Sequence, residues 1–133
     1  VGIIYQDALL FPHLSVGENL AFGLSESVRG KSRHKAVRDA LALARLQDFA
    51  NRDPASLSGG QAARVALMRA LLAKPKALLM DETFSSLDPD LRQQFGHFVA
   101  SQVKLQQIPA LLVSHDVTDQ KFASGPVLKF PAE

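Results

Sequence analysis

Short runs of consecutive apolar residues alternate along this chain with longer segments in which apolar residues recur at helical spacing. The apolar runs lie at residues 1–5, 77–80, 110–113 and 127–130. The segments with helical spacing lie at residues 32–47, 61–73 and 88–106. Continuous apolar runs of this length are typical of strands buried on both faces of a parallel sheet. The alternation of such strands with helices therefore predicts an α/β fold with a parallel sheet.

Capping signals predict where three helices begin. Ser15 precedes Glu18 by three residues, which is the capping-box spacing for a short helix. Ser32 is placed to cap the helix that follows it, and Asp88 with Pro89 is placed to start the last helix. The sequence thus predicts side-chain caps at Ser15, Ser32 and Asp88.

Composition narrows the classes of function that this fold can serve. The chain has 133 residues, of which 47% are apolar and 21% charged, the balance of one compact globular domain. A net charge of +2 is too small to indicate a nucleic-acid partner, and we expect none. Cysteine is absent, which excludes disulfides and thiolate chemistry. No apolar run approaches the roughly 20 residues that cross a bilayer.

The first residue lies inside an apolar run. The sequence begins with Val1 and not with Met, and the apolar run continues to Tyr5. We therefore expect that upstream sequence is missing and that the chain starts within a strand.

Two segments carry residue types suited to nucleotide chemistry. Ser58, Gly59 and Gly60 open a helix, where backbone N–H groups and the helix dipole favour a closely approaching anion. The same residues also suit a plain helix N-cap. Further along, an apolar strand delivers Asp81 and Glu82 at its C-terminal end, where neighbouring side chains point opposite ways. One carboxylate can therefore serve a metal ion while the other serves a water nucleophile.

Five motifs together resemble those of the ABC ATPase family, in family order and at family spacing. They are the signature motif from Leu57-Ser58-Gly59-Gly60-Gln61 to Leu71, the Walker B motif Ala77–Glu82, the D-loop Ser85–Asp88, the switch histidine His115 and the Q-loop glutamine Gln6. The resemblance covers almost the whole chain. It implies a partial P-loop NTPase (RecA-like) parallel sheet with an α-helical subdomain, lacking the Walker A strand, loop and helix.

The resemblance also implies the cofactors ATP and Mg²⁺ and a role for each site residue. Asp81 and Gln6 would hold Mg²⁺, and Gln6 would also touch the attacking water. Glu82 would orient and deprotonate that water, and His115 would donate a hydrogen bond to the γ-phosphate. The residues implied to face the nucleotide of a second subunit, paired head to tail, are Ser58, Gly59, Gly60, Gln61 and, at the dimer interface, Asp88.

A single incomplete ABC domain in three parts follows from the resemblance. Residues 1–14 would form a core strand and the Q-loop, 15–73 the helical subdomain with the signature, and 74–133 the RecA-like core. Residues 7–16 resemble the segment that helps to receive a cytoplasmic helix of the membrane subunit. The implied function is ATP hydrolysis coupled to solute transport, with transmembrane permease subunits as partners, at the cytoplasmic face of the inner membrane as a peripheral protein.

The phosphate-binding P-loop of these ATPases, Gly-x-x-x-x-Gly-Lys-Ser/Thr, does not occur in the sequence. Its nearest match is Gly30-Lys31-Ser32, but Ser25 stands five residues before Gly30 where the loop requires glycine. Without the loop, the ATP phosphates lose a nest of N–H donors and a lysine. We therefore expect the chain alone to be inactive.

Two other functions compete with the transporter subunit. One is a soluble ABC ATPase that acts on ribosomes or DNA, and the other is a degenerate, non-catalytic regulatory partner. Soluble members usually carry a duplicated cassette, basic inserts or a long coiled coil, and this sequence contains none of these. The presence of Glu82 and His115 favours a hydrolytic ancestor.

Overall fold

The computed structural model describes residues 2–4, 10–81 and 87–113. Its strands are β1 (Gly2–Ile4), β2 (Leu78–Asp81) and β3 (Ala110–Val113). Its α-helices are α1 (Val16–Phe22), α2 (Gly30–Leu43), α3 (Gly59–Leu72) and α4 (Pro89–Gln106), and a short 3₁₀ turn covers Pro54–Ser56. The predicted α/β class is confirmed. The strand predicted at 127–130 lies outside the described residues.

The three described strands form one parallel sheet in the order β1-β2-β3. Ile4 lies beside Met80, and Asp81 lies beside Val113. Parallel neighbours need a crossover connection; α4 connects β2 to β3, and the segment containing α1, α2 and α3 connects β1 to β2. The carboxyl ends of all three strands therefore meet at one edge of the sheet.

Helix α3 is the centre of the hydrophobic core. It contacts α1, α2, α4 and β1, and its buried side chains include Val65, Leu67 and Met68. From the sheet, Leu78 and Met80 of β2 are also buried, as the apolar run predicts. One continuous cluster therefore joins the helices to the sheet.

Two of the predicted caps are confirmed. The Ser15 hydroxyl accepts from the Glu18 backbone N at 3.1 Å, and the Glu18 carboxylate accepts from the Ser15 backbone N at 2.9 Å. The backbone and side-chain hydrogen bonds with Ser15 lower the pKa of Glu18 below its usual value. At the start of α4, the Asp88 carboxylate accepts from the Leu91 backbone N at 2.9 Å.

The predicted limits of α2 are wrong. The helix begins at Gly30, and Arg29 occupies the N-cap position with no side-chain hydrogen bond, so Ser32 is not a cap. The helix ends at Leu43 and not at residue 47 because Arg45 adopts a left-handed φ of 60°. This turn lets the Leu46 backbone N donate to the Leu41 carbonyl at 2.8 Å, and Leu46 is buried in the core. The helix therefore ends early because the turn at Arg45 allows Leu46 to be buried in the core.

The prediction that β3 is buried is also wrong. Leu111 is 60% exposed and Val113 44% exposed, whereas Leu112 packs against the core. Alternate strand residues face opposite sides of a sheet, and only the Leu112 side is covered within the described part of the chain. Among the described helices, none has the length and apolar character needed to cross a membrane.

Candidate functional site

The start of α3 is an exposed, fully formed capping box. The Ser58 hydroxyl accepts from the Gln61 backbone N at 3.1 Å, and the Gln61 side-chain oxygen accepts from the Ser58 backbone N at 3.0 Å. Ser58 and Gly59 are exposed, and Gly60 is buried. The first intrahelical bond is donated by the Ala62 backbone N to the Ser58 carbonyl at 2.9 Å. The plain capping interpretation of this segment is therefore confirmed.

Two backbone N–H groups remain at this helix start once the cap has formed. The first N–H groups of any helix have no partner within the helix. Gln61 and Ala62 donate to Ser58, but the Gly59 and Gly60 N–H groups make no hydrogen bond within the described residues. A helix start with unpaired N–H groups and the positive end of the dipole suits an anion.

The two glycines differ in the room that surrounds them. A Cβ added at Gly60 would lie 3.1 Å from the Leu91 side chain, whereas one added at Gly59 would lie 3.6 Å from the Leu87 side chain. Van der Waals contact begins near the second distance, so packing within the chain does not require glycine at position 59. These contacts also place the start of α3 directly against the residues on either side of the α4 cap. The predicted signature and D-loop residues therefore adjoin each other.

Of the other predicted site residues, the structure describes Asp81, at the carboxyl edge of the sheet. Asp81 is the last residue of β2, beside Val113 at the end of β3. Three predicted residues lie outside the described residues, namely Gln6, Glu82 and His115. Within the described part, no three His, Asp or Glu residues are grouped so as to hold a metal ion. The predicted Mg²⁺ site therefore stays a prediction.

A buried asparagine that the sequence did not point to fixes the segment after the Q-loop. Asn19 is 0% exposed. Its side-chain oxygen accepts from the Phe11 backbone N at 2.7 Å, and its amide nitrogen donates to the Phe11 carbonyl at 3.1 Å. The same nitrogen donates to the Leu14 and Ser15 carbonyls at 3.2 Å and 2.9 Å. One signal for this role was available in the sequence. Asn19 is a polar residue that lies between Val16 and Leu20 on the buried side of a short amphipathic helix.

Arg69 of α3 extends this network to the signature helix. Its guanidinium donates to the Asn19 side-chain oxygen at 3.4 Å and lies 5.3 Å from the Phe11 ring centre. Desolvation lowers the pKa of Arg69 without removing its charge at neutral pH. On the same helix, the Arg69 backbone lies so close to Gly23 that an added Cβ would be 2.3 Å from the carbonyl oxygen. Helices α1 and α3 and the segment from Phe11 to Ser15 thus form one tightly packed unit.

An aromatic pair is exposed beside this unit. The Phe11 and Phe22 rings meet edge to face with centres 4.7 Å apart, and Phe22 is 63% exposed. His13 lies 6.0 Å from the Phe11 ring. Exposed aromatic rings that are held in place by packing are typical of binding surfaces.

The parallel sheet and its helices have the fold of P-loop NTPase cassettes. A solved dimer of the ATP-binding cassette MJ0796, in a post-hydrolysis state bound to ADP and Pi, matches with a TM-score of 0.73 and 31% identity over 91% of this chain and 54% of that one. The family model described as ABC transporter matches residues 1–85. The chain belongs to the ABC transporter ATP-binding protein family.

Curated relatives agree with this family. An uncharacterised ABC transporter ATP-binding protein of Escherichia coli K12, YnjD, is 53% identical over 119 residues, which are 90% of this chain and 55% of YnjD. The spermidine/putrescine import ATP-binding protein PotA 1 of Pseudomonas aeruginosa is 45% identical over 121 residues, or 87% of this chain and 33% of PotA 1. The chain therefore spans about half of the first relative and a third of the second.

Proposed function

We propose that this chain forms part of the ATP-hydrolysing subunit of an ABC membrane transporter, in which hydrolysis drives solute transport. The observation that carries the proposal is the exposed start of α3, where the Gly59 and Gly60 N–H groups are unpaired in the described structure. The chain belongs to the ABC family, and this helix start carries the residues that resemble the family's signature motif.

The start of α3 would bind the phosphates held by a second subunit. Gly59 has room for a side chain within its own chain, so its lack of one suits a group that approaches from outside. Leu87, next to Asp88, contacts Gly59, which brings the D-loop to the same surface. The solved MJ0796 cassettes are dimers, which supports a head-to-tail pair of subunits.

The carboxyl edge of the sheet would serve the chain's own nucleotide. Gln6 follows Ile4 by two residues and His115 follows Val113 by two, so covalent reach alone keeps each within about 7 Å of its strand end. Glu82 comes directly after Asp81. All of these residues would therefore be within reach of one nucleotide bound at that edge.

The donor atoms at this edge fit a magnesium ion. Asp81 supplies carboxylate oxygens and Gln6 an amide oxygen, and Mg²⁺ prefers oxygen ligands. Bound there with ATP, Mg²⁺ would neutralise charge on the phosphates. Glu82 would accept the proton of the attacking water, and His115 would donate a hydrogen bond to the γ-phosphate.

The aromatic surface of Phe11 and Phe22 would contact a transmembrane permease subunit at the cytoplasmic face of the membrane. Phe22 is 63% exposed, and the Asn19 network holds Phe11 rigidly behind it. We propose the division into residues 1–14, 15–73 and 74–133 as family subdomains, with α3 packing on both the helices and the sheet.

The 133-residue chain is expected to bind Mg-ATP only with a dissociation constant above about 1 mM, which corresponds to about 4 kcal/mol or less. The reason is that the sequence contains no P-loop to supply N–H donors and a lysine to the phosphates. Isothermal titration of Mg-ATP into the chain measures this constant, with the Escherichia coli relative as the positive control.

A chimera provides the matched comparison. It joins the part of the Escherichia coli relative that precedes the shared region, where we expect a P-loop, to this chain. The chimera should bind Mg-ATP in the micromolar range. Micromolar binding by the chain without that addition would contradict the account of the phosphate site.

A further inference from the structure

The positive charge of this chain is concentrated at the start of α2. Residues 29–38 contain five Lys or Arg residues and no Asp or Glu, against 15 basic and 13 acidic residues in the whole chain. The rest of the chain therefore has 10 basic and 13 acidic residues, a net charge of −3. The overall charge of +2 therefore combines one basic segment with a remainder that is slightly acidic. Helix α2 itself has four Lys or Arg residues and one Asp.

Three of these Lys and Arg side chains share one exposed side of α2, which we call the basic face. They are Lys31, Lys35 and Arg38, and exposed His34 lies among them. Positions separated by three, four and seven residues lie on the same side of a helix. The opposite side packs inward, with Ala40 2% exposed. The basic face is therefore a continuous surface feature about 10 Å long.

This arrangement works against the stability of α2 itself. Lys31 and Lys35 are like charges one turn apart, and the first turn has no acidic residue. Cations at a helix N-terminus oppose the helix dipole. On the basic face, Lys35 has a carboxylate partner, Asp39 at 2.7 Å, whereas Lys31 and Arg38 have none among the described residues. Their charge is left available to a group outside the chain.

Helix α2, which carries the basic face, packs beside the surface proposed for the permease. The Arg33 guanidinium donates to the Ala21 carbonyl at 2.7 Å and so joins α2 to the end of α1, next to exposed Phe22. A helix beside the permease-binding surface is near the membrane that holds the permease. This step rests on the proposed function.

We propose that the basic face binds the anionic phospholipid headgroups of that membrane. Lys and Arg clusters on an exposed helix are attracted by the negative potential of a cytoplasmic leaflet. Long, flexible side chains in a row on a convex helix suit a diffuse layer of phosphates. A folded acidic partner would instead be expected to meet a shaped surface with paired partners.

The test measures binding of the full 133-residue chain to lipid vesicles by co-sedimentation. Vesicles of phosphatidylcholine alone are compared with vesicles in which about a third of the lipid is phosphatidylglycerol, at low and at physiological ionic strength. We expect binding to the anionic vesicles only, and we expect added salt to weaken it. Double charge reversal by Lys31→Glu and Arg38→Glu should reduce binding at least about tenfold.

The control variant carries Lys74→Glu and Lys76→Glu, which make the same change in net charge on an exposed segment after α3. It should bind like the unaltered chain. The α2 variant keeps the pair of Lys35 and Asp39 and gains an acidic residue in the first turn, so its thermal midpoint should not fall. Equal loss in both variants would show that net charge alone is responsible and would overturn the proposal.

Failure of the chain to bind anionic vesicles would also overturn the lipid-binding proposal. The proposal would likewise be overturned if the α2 variant assembled poorly with a permease but bound vesicles normally. The latter result would identify an acidic protein segment as the occupant. Vesicle binding needs no nucleotide, so its failure would leave the proposed ATPase function standing. Loss of ATP hydrolysis by the chimera would, in turn, leave the vesicle result unaffected.

Discussion

Gly59→Ala is expected to lower the ATPase activity of the chimera on the order of a hundredfold, the loss typical when groups that stabilise transition-state charge are displaced. The added methyl group would stand between the unpaired N–H groups at the start of α3 and a phosphate of the second subunit. Within its own chain it would meet only the Leu87 side chain at 3.6 Å, an ordinary contact. Activity should therefore fall while the fold is preserved.

Stability provides the control for this variant. Alanine restricts the unfolded chain more than glycine, so Gly59→Ala should leave the free energy of unfolding unchanged or raise it by up to about 1 kcal/mol. Phosphate release and urea unfolding are measured on the same preparation. A variant that hydrolyses ATP at the original rate would remove α3 from the proposed site, and one that unfolds would make the activity loss a structural effect.

Gly23→Ala should have the opposite outcome, with severe loss of stability. The new Cβ would lie 2.3 Å from the Arg69 carbonyl oxygen and 3.2 Å from its carbonyl carbon, which are backbone atoms in the last turn of α3. Neither helix can move without breaking the contacts among Asn19, Phe11 and Arg69. We expect destabilisation of about 3 kcal/mol, the upper end for overpacking.

The backbone at Gly23 makes this a clean steric test. Its φ of −74° and ψ of −16° are ordinary helical values that alanine adopts without strain. A Gly→Ala change at such a position would otherwise stabilise the chain by about 0.4–1 kcal/mol. Urea unfolding of Gly23→Ala beside Gly59→Ala measures the difference. Equal stability of the two variants would show that α1 and α3 pack less closely than the structure describes.

Local signals were enough to predict part of this fold. The start of α4 follows from Asp88 and Pro89, and the capping box of α1 follows from Ser15 and Glu18. Each signal acts within one helical turn, so neighbouring residues decide the outcome. The N-cap interpretation of Ser58 is confirmed for the same reason, although the apolar pattern began the helix at residue 61 and α3 begins at Gly59.

Other features depend on contacts that sequence spacing does not reveal. The end of α2 is set by burial of Leu46 after a left-handed Arg45, and apolar periodicity alone extended the helix too far. Strand β3 has the apolar composition of a buried strand, but its exposure depends on what covers each face of the sheet. The role of Asn19 depends on a segment eight residues away and on Arg69 fifty residues away.

The candidate site shows the same division. The sequence located Ser58, Gly59 and Asp88, and the structure brings the start of α3 against the residues around Asp88. The sequence did not indicate that Gly59 has space around it while Gly60 is confined by Leu91. That difference in packing arises from contacts between two helices, which sequence spacing does not reveal. Gln6, Glu82 and His115 lie outside the described residues, and their roles remain proposals.

Phosphate release from Mg-ATP by the chimera, with and without Glu82→Gln, tests the central claim most directly. If Glu82 deprotonates the attacking water, the variant should lose about 10²–10⁴-fold in rate and still bind ATP, because glutamine keeps the shape but not the basicity. Hydrolysis at the original rate by Glu82→Gln would remove Glu82 from its proposed role. Absence of hydrolysis in an unaltered chimera that binds ATP would contradict the assignment of this chain to an ATP-hydrolysing subunit.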